Sequence, residues 1–247
     1  MKKTKMKIWK IILIVFLALL IAFIAIVTRR VIILSNIDKK VTDCENNNKN
    51  IYIKTTLDYA DYKSEIERFI KDDVDKVILK KTDLEENEIK LIQITYPNER
   101  KVYTEKNGIK VMNVYNEKAP IRGAHIENLP EENYASYAVI TNFAYNISIY
   151  ERILSSILTS VKTVELDGVK CYELSSLHTP NYIYSENTSK LSMFVNKETG
   201  LPVKSVEVIK ENGLEKENIT TYECKFNIVT DEDIKEPDAE EYIMQAK

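Results

Sequence analysis

Glycine is scarce in this chain. Its 247 residues include five glycines, six prolines, three cysteines, two histidines and one tryptophan. So few glycines leave no Gly-rich loop whose backbone amides would cradle a phosphate. His125 (in Gly123-Ala124-His125) and His178 (in Leu177-His178-Thr179) have no second His, Cys or carboxylate at metal-ligand spacing, so both read as loop residues. Ser155-Ser156 and Ser175-Ser176 lack the Gly-x-Ser-x-Gly frame of a nucleophile elbow. The carboxylate pairs Glu131-Glu132 and Glu240-Glu241 read as cap charges or solvated faces rather than a buried acid–base pair. No enzymatic activity, metal or cofactor is therefore expected. The cysteines are odd in number. Cys171 and Cys224 alternate in phase with apolar neighbours and read as small buried hydrophobes rather than as a disulfide, and Cys44 lies in a polar stretch and reads as free.

What the chain does have is a start unlike the rest. Lys2, Lys3, Lys5, Lys7 and Lys10 precede an unbroken apolar run from Ile11 to Val27. As a helix, that run spans about 25 Å at 1.5 Å per residue. With Ile8 and Trp9 at headgroup level and Lys10 reaching outward, it crosses a hydrocarbon core of about 30 Å. The segment Ala22–Val27 offers no Ala-x-Ala cleavage site, and no cysteine follows the run closely enough for a lipoprotein, so an uncleaved signal anchor is expected. The lysines on the N-terminal flank, against Arg29 and Arg30 beyond, favour a cytoplasmic N-terminus and an extracytoplasmic C-terminal domain at the cell membrane. The division that follows is residues 1–10 as a cytoplasmic basic tail, 11–28 as the transmembrane anchor, 29–50 as a polar, solvated linker, and 51–247 as the domain.

The anchor and its flanks hold seven of the 35 basic residues and none of the 38 acidic ones, leaving 28 against 38 in the domain. A surface so acidic repels nucleic acid, which is not an expected partner, and repels anionic lipid headgroups.

Strand-length segments separated by turn signals follow the linker: Ile51–Tyr59, Tyr62–Ile70, Lys76–Lys81, Glu88–Tyr96, Lys101–Thr104 and Ile109–Tyr115. Asn107-Gly108 is a strong two-residue hairpin signal. No room is left for crossover helices, so an antiparallel meander is expected, although Glu65-Ile66-Glu67-Arg68 equally suits a helix start. In the middle, Leu129-Pro130-Glu131-Glu132 reads as a helix start, and Ser148 with Glu151 has capping-box spacing. Beyond it Ile147, Tyr150, Leu154, Ile157, Leu158 and Val161 fall on one helical face, which needs an apolar cover such as the sheet. Strands then resume. Lys162–Leu166 and Val169–Leu174 flank Asp167-Gly168, with Val164, Leu166, Val169 and Cys171 on one face. Leu191–Val195 and Pro202–Ile209 flank a longer loop. Thr220–Val229 alternates, with Tyr222, Cys224, Phe226 and Ile228 inward. Fifteen tyrosines, among them Tyr134, Tyr137, Tyr145, Tyr172, Tyr182 and Tyr184, suit strand positions with a hydroxyl at the rim, or alternatively an aromatic-lined groove.

Met193-Phe194-Val195-Asn196-Lys197-Glu198-Thr199-Gly200-Leu201-Pro202-Val203-Lys204 resembles the strand–D-K-E-T-G-L-P–strand hairpin of LolA-like proteins, the lipoprotein-carrier and outer-membrane lipoprotein-sorting superfamily. Tyr222–Val229 with Thr230-Asp231-Glu232-Asp233 and Pro237-Asp238 is similar to their closing strand and exit. The likeness covers residues 160–240 and suggests a membrane-anchored member of Gram-positive type. It implies an α+β fold: after the transmembrane helix, an antiparallel, incompletely closed β-barrel (a half-barrel) with helices covering its concave face. It also implies an apolar cavity for a lipid, acyl chain or lipoprotein in cell-envelope biogenesis. The expected lining is Ile153, Leu154, Ile157, Leu158 and Val161 from the helix, and Val164, Leu166, Tyr222 and Phe226 from strands. The alternative is a regulatory or interaction module of the envelope that fills its own cavity and docks a protein partner.

Overall fold

The computed structural model describes residues 2–59, 62–83, 88–115, 157, 159–176, 188–211 and 214–245. Its first element is one helix, α1, Lys2–Asn47, of 46 residues. No glycine or proline occurs before Pro97, so nothing in the backbone chemistry interrupts it. At its apolar half, the side chains from Trp9 to Ile26 that the fold leaves exposed are the ones suited to lipid. The solvated linker expected at residues 29–50 is corrected here. Residues 29–47 continue the helix, and Ile37 and Val41 are almost fully buried. The reason is periodicity: Ile33, Leu34, Ile37, Val41 and Cys44 recur at helical spacing and meet an apolar face of the sheet.

Eleven antiparallel strands follow in two meanders. The first contains β1 Asn50–Asp58, β2 Tyr62–Lys71, β3 Val74–Asp83, β4 Glu88–Thr95, β5 Arg100–Lys106 and β6 Ile109–Tyr115. The second contains β7 Thr159–Leu166, β8 Val169–Ser176, β9 Thr188–Asn196, β10 Pro202–Glu211 and β11 Leu214–Phe226. Pairing of β1 with β11 joins them into one open sheet, and a last strand, β12 Ile243–Gln245, adds in parallel to the β6 edge. Among the described residues the sheet has twelve strands and does not close. The Tyr62–Ile70 segment is a strand, not a helix start. Asn107-Gly108 and Asp167-Gly168 both have two successive positive φ angles (52° and 76°, 50° and 79°), the requirement of the tight hairpin turn that the sequence signalled.

Two further expectations change. Val161 lies in β7, not on a helix, because its pairing with Leu174 belongs to a ladder that opens at Thr159. The rest of the middle helical reading, residues 129–156 and 158, lies outside the described residues, so the helical cover expected from there does too. β11 ends at Phe226, before Val229: Asn227 turns with φ 59°, and Asn50 takes over. The Asn50 Nδ2 donates to the Val229 carbonyl, and the Val229 N–H donates to Asn50 Oδ1, both at 2.8 Å. Ile228, expected inward, is consequently exposed.

The sheet buries apolar side chains on both faces of β3–β6. On one face Leu57, Ile66, Val77, Leu79, Leu91 and Val102 form a cluster. On the other, Ile92, Ile94, Tyr103 and Met112 are covered partly by Tyr242, from the segment after β11. That segment begins with a one-turn helix, α2 Asp231–Ile234, closed by a capping box between Thr230 and Asp233. It then crosses the sheet. The Lys76 Nζ donates to the Lys235 carbonyl at 2.8 Å. Glu236 accepts from Tyr96 Oη at 2.7 Å, Tyr103 Oη at 2.8 Å and Lys101 Nζ at 2.8 Å.

Candidate functional site

The face that receives α1 is defined by register. Reading across the first meander, Ile51, Ile70, Asp75, Thr95, Arg100 and Tyr115 form one row. Ile53, Arg68, Val77, Gln93, Val102 and Asn113 form the next. Across β1, Phe226, Cys224 and Tyr222 face the same way, opposite Ile51, Ile53 and Thr55. We call this the inner face. Over its β1, β8, β9 and β10 side, Ile37 and Val41 of α1 pack with Ile51, Ile53, Ile70, Leu174, Met193, Val195 and Leu201 into one buried cluster.

The docking of α1 is close. Gly200, in the β9–β10 hairpin with φ +78°, lies where a Cβ would come within 2.8 Å of the Lys40 Cβ and 3.0 Å of the Ile37 carbonyl oxygen. The Lys40 ammonium donates to the Lys197 carbonyl in the same hairpin. Towards its other end, Arg30 donates to the Ile157 carbonyl at 3.3 Å. Only Thr28 and Arg29 separate that contact from the apolar run, so sheet and anchor adjoin directly.

The expected lining residues divide into three groups. Val161, Tyr222 and Phe226 sit partly buried against the α1 cluster. Val164 and Leu166 alternate with Val161 along β7, and Val164 pairs with Cys171, so they occupy the opposite face. Ile157 is described and exposed; Ile153, Leu154 and Leu158 lie outside the described residues. The residues that sequence reasoning missed are those of α1 itself. The signal was present, as the apolar spacing of Ile33 to Cys44 and the lack of any breaker, but it was masked by the polar composition between those residues.

The inner face is not uniformly apolar. Arg68, buried, donates to buried Asp75 through Nε (3.0 and 3.2 Å) and Nη2 (2.6 Å), a bidentate pair inside the sheet. Arg100 lies over the Tyr115 ring at 4.5 Å. Gln93 is fully buried, and its Nε2 reaches Thr95 Oγ1 at 3.4 Å. Gln93 Oε1, Ser64 Oγ and Asn113 Oδ1 have no hydrogen-bond partner among the described residues. Tyr222 Oη lies 3.3 Å from Ser205 Oγ, and burial pushes its phenol up to about 12. Cys224 is also pushed up to about 12, by burial first and then by the charge of Cys44. Burial raises the Cys171 thiol as well. Such thiols are protonated and unreactive at neutral pH. The three cysteines form no disulfide, and Cys171 and Cys224 stand on opposite faces of the sheet, which rules out a bond between them.

No group of three or more His, Cys, Asp or Glu is arranged to hold a metal among the described residues. A cleft of about 690 Å³ opens at the β3–β4 and β5–β6 strand ends, lined by Lys80, Lys81, Lys90, Glu88, Glu105 and Asn107 among others. It is polar, unlike the apolar cavity expected from sequence.

No protein-family profile and no curated protein matches the chain. Among solved structures it is similar to an uncharacterized conserved protein from Thermus thermophilus, at 11% identity and TM-score 0.44, over 85% of this chain and 98% of that one. It is similar to MucB in complex with MucA(peri), at 10% identity and TM-score 0.34, over 82% of this chain and 59% of that one. A LolA superfamily protein from Nitrosomonas europaea is similar at 8% identity and TM-score 0.26, over 82% and 97% of the two chains.

Proposed function

We propose that this chain is a single-pass, membrane-anchored binding module of the cell envelope, with its sheet on the extracytoplasmic side, and that it docks a protein or lipoprotein without catalysing a reaction. The observation that carries this reading is the seat of α1. The helix that leaves the apolar run enters the inner face within a few residues, and Ile37 and Val41 occupy the surface where a LolA-like carrier would hold an acyl chain. A domain fixed to its own anchor cannot shuttle cargo across a compartment. It can present a surface at a set height above the bilayer. The N-terminal lysines supply the orientation.

The test is photo-crosslinking in intact cells combined with mass spectrometry of organic extracts from the full chain purified in detergent. One stoichiometric protein partner with no co-purifying acyl species is the expected result. Stoichiometric bound lipid and no partner would overturn it. Protease shaving of whole cells that spares the C-terminus would overturn the orientation.

A second reading keeps the apolar ligand. Leu57, Ile66, Val77, Leu79, Leu91 and Val102 form a further apolar cluster on the inner face that includes no residue of α1. In this reading an acyl chain lies over that cluster, whose side chains are themselves already buried, and the gain of about 25 cal/mol per Å² comes from the acyl chain's own apolar area leaving water. The same extraction experiment decides between the two.

A further inference from the structure

Among the described residues, three exposed large hydrophobic side chains stand at one rim of the sheet. Ile109 is 62% exposed at the β5–β6 hairpin, Leu214 is 69% exposed where β10 turns into β11, and Ile157 is 40% exposed just before β7. Register shows that these strand ends form the same rim. Ile109 pairs with Lys106, Leu214 with Glu211, and Thr159 with Ser176, which in turn pairs with Leu191 near the start of β9. The polar cleft near that rim carries both signs of charge, Lys80, Lys81 and Lys90 with Glu88 and Glu105, and Lys80 also lies 3.7 Å from both Glu65 and Glu67.

The course of α1 shows which way this rim faces. Arg30 touches Ile157 at the rim, whereas ten residues later Lys40, with Ile37, touches the β9–β10 hairpin at the opposite end of the strands. Followed back towards its N-terminus, the helix therefore leaves the sheet over the rim of Ile109, Leu214 and Ile157. The apolar run ends at Val27, three residues before Arg30, so the rim comes to the surface of the bilayer that α1 enters.

We propose that this rim is a membrane seat: Ile109, Leu214 and Ile157 insert at the headgroup–acyl boundary. Apolar side chains exposed at the end of a domain that meets the bilayer have the chemistry of interfacial binding. The domain as a whole is acidic, so the attraction to the bilayer is apolar rather than directed at anionic headgroups. The proposal rests on α1 spanning the membrane and refines how the anchored module stands.

The experiment places single tryptophans in the full chain. Trp9 is the only native tryptophan. Trp9→Phe is combined in turn with Ile109→Trp, Leu214→Trp or, as a control, Ile228→Trp, which is exposed beyond the other end of β11. Each is reconstituted in vesicles of equal parts phosphatidylcholine and phosphatidylglycerol with brominated acyl chains. Burial about 5–10 Å into the interface predicts blue-shifted emission and at least roughly twofold stronger quenching at positions 109 and 214 than at 228. Replacing phosphatidylglycerol by phosphatidylcholine should leave that difference in place, because the attraction is apolar. Equal quenching at 109, 214 and 228 overturns the seat, and quenching that needs phosphatidylglycerol overturns its apolar character. Trp9 in the parent chain separates the two readings. If Trp9 is not quenched, the anchor itself fails; if Trp9 is quenched and the Ile109→Trp reporter is not, only the seat fails.

Discussion

Gly200 and Lys40 meet so closely that the backbone of one lies where any side chain would strike the other: a Cβ on Gly200 would stand 2.8 Å from the Lys40 Cβ. The residue also holds φ +78°, which side chains disfavour. Gly200→Ala should therefore lift α1 off the β9–β10 hairpin and destabilise the chain by about 2 kcal/mol or more. The denaturant midpoint of the detergent-solubilised full chain measures this. A change below about 0.5 kcal/mol would show that the helix does not press on the hairpin.

Breaking the buried Arg68–Asp75 pair at one end should cost far more than removing it. Arg68→Ala strands a carboxylate that is fully buried, with an expected loss of about 3–5 kcal/mol. The double change Arg68→Met with Asp75→Val should recover most of that loss, because two well-packed apolar groups replace two desolvated charges. Equal destabilisation by the single and double variants would mean the pair does more than satisfy itself, for instance by contacting a ligand.

Glu236 sets an acid limit on the C-terminal segment. Its burial would raise the carboxyl pKa, but hydrogen bonds from Lys101, Tyr96 and Tyr103 outweigh burial and hold it below the usual range. A depressed folded-state pKa adds stability above the unfolded value, and that stability is lost as pH falls through the folded value. The Tm advantage of the wild type over Glu236→Gln, about 1–2 kcal/mol in free energy at neutral pH, should shrink as pH drops below about 4. The partners act in the other direction. Tyr96 is pushed up to about 12 by burial and by Glu236, and Lys101 is raised by its hydrogen bond to Glu236. Their contribution persists to high pH and is lost only as pH rises through those raised values. A constant Tm difference from pH 7 to pH 3 would contradict this.

The thiols give a simple count. Three cysteines should react with maleimide in the denatured chain. In the native chain at pH 7.5, Cys171 and Cys224 should be protected, because burial raises both. Rapid native labelling of Cys224 would show that the inner face is open.

Much of the sheet was legible from sequence. The first six strands, the turns at Asn107-Gly108 and Asp167-Gly168, and the inward set Tyr222, Cys224 and Phe226 follow from alternation and turn chemistry, which are local properties. The face of Val164 and Leu166 was not legible. Period two says that they share a side, and only the pairing of β7 with β8, and of β8 with β9, says that this side is opposite α1.

The sequence alone determined that one apolar helix precedes an antiparallel sheet, because a breaker-free apolar run and strict alternation each admit one backbone solution. Tertiary structure decided that the helix does not stop at the apolar run. Between Ser35 and Asn47 the composition is polar, and only contact with Ile51, Ile53, Met193 and Val195 turns the sparse apolar positions Ile37 and Val41 into core. That contact is long-range in sequence, so local pattern could mark those residues as helical in phase but not as buried. It is burial that makes the anchor and the sheet one piece.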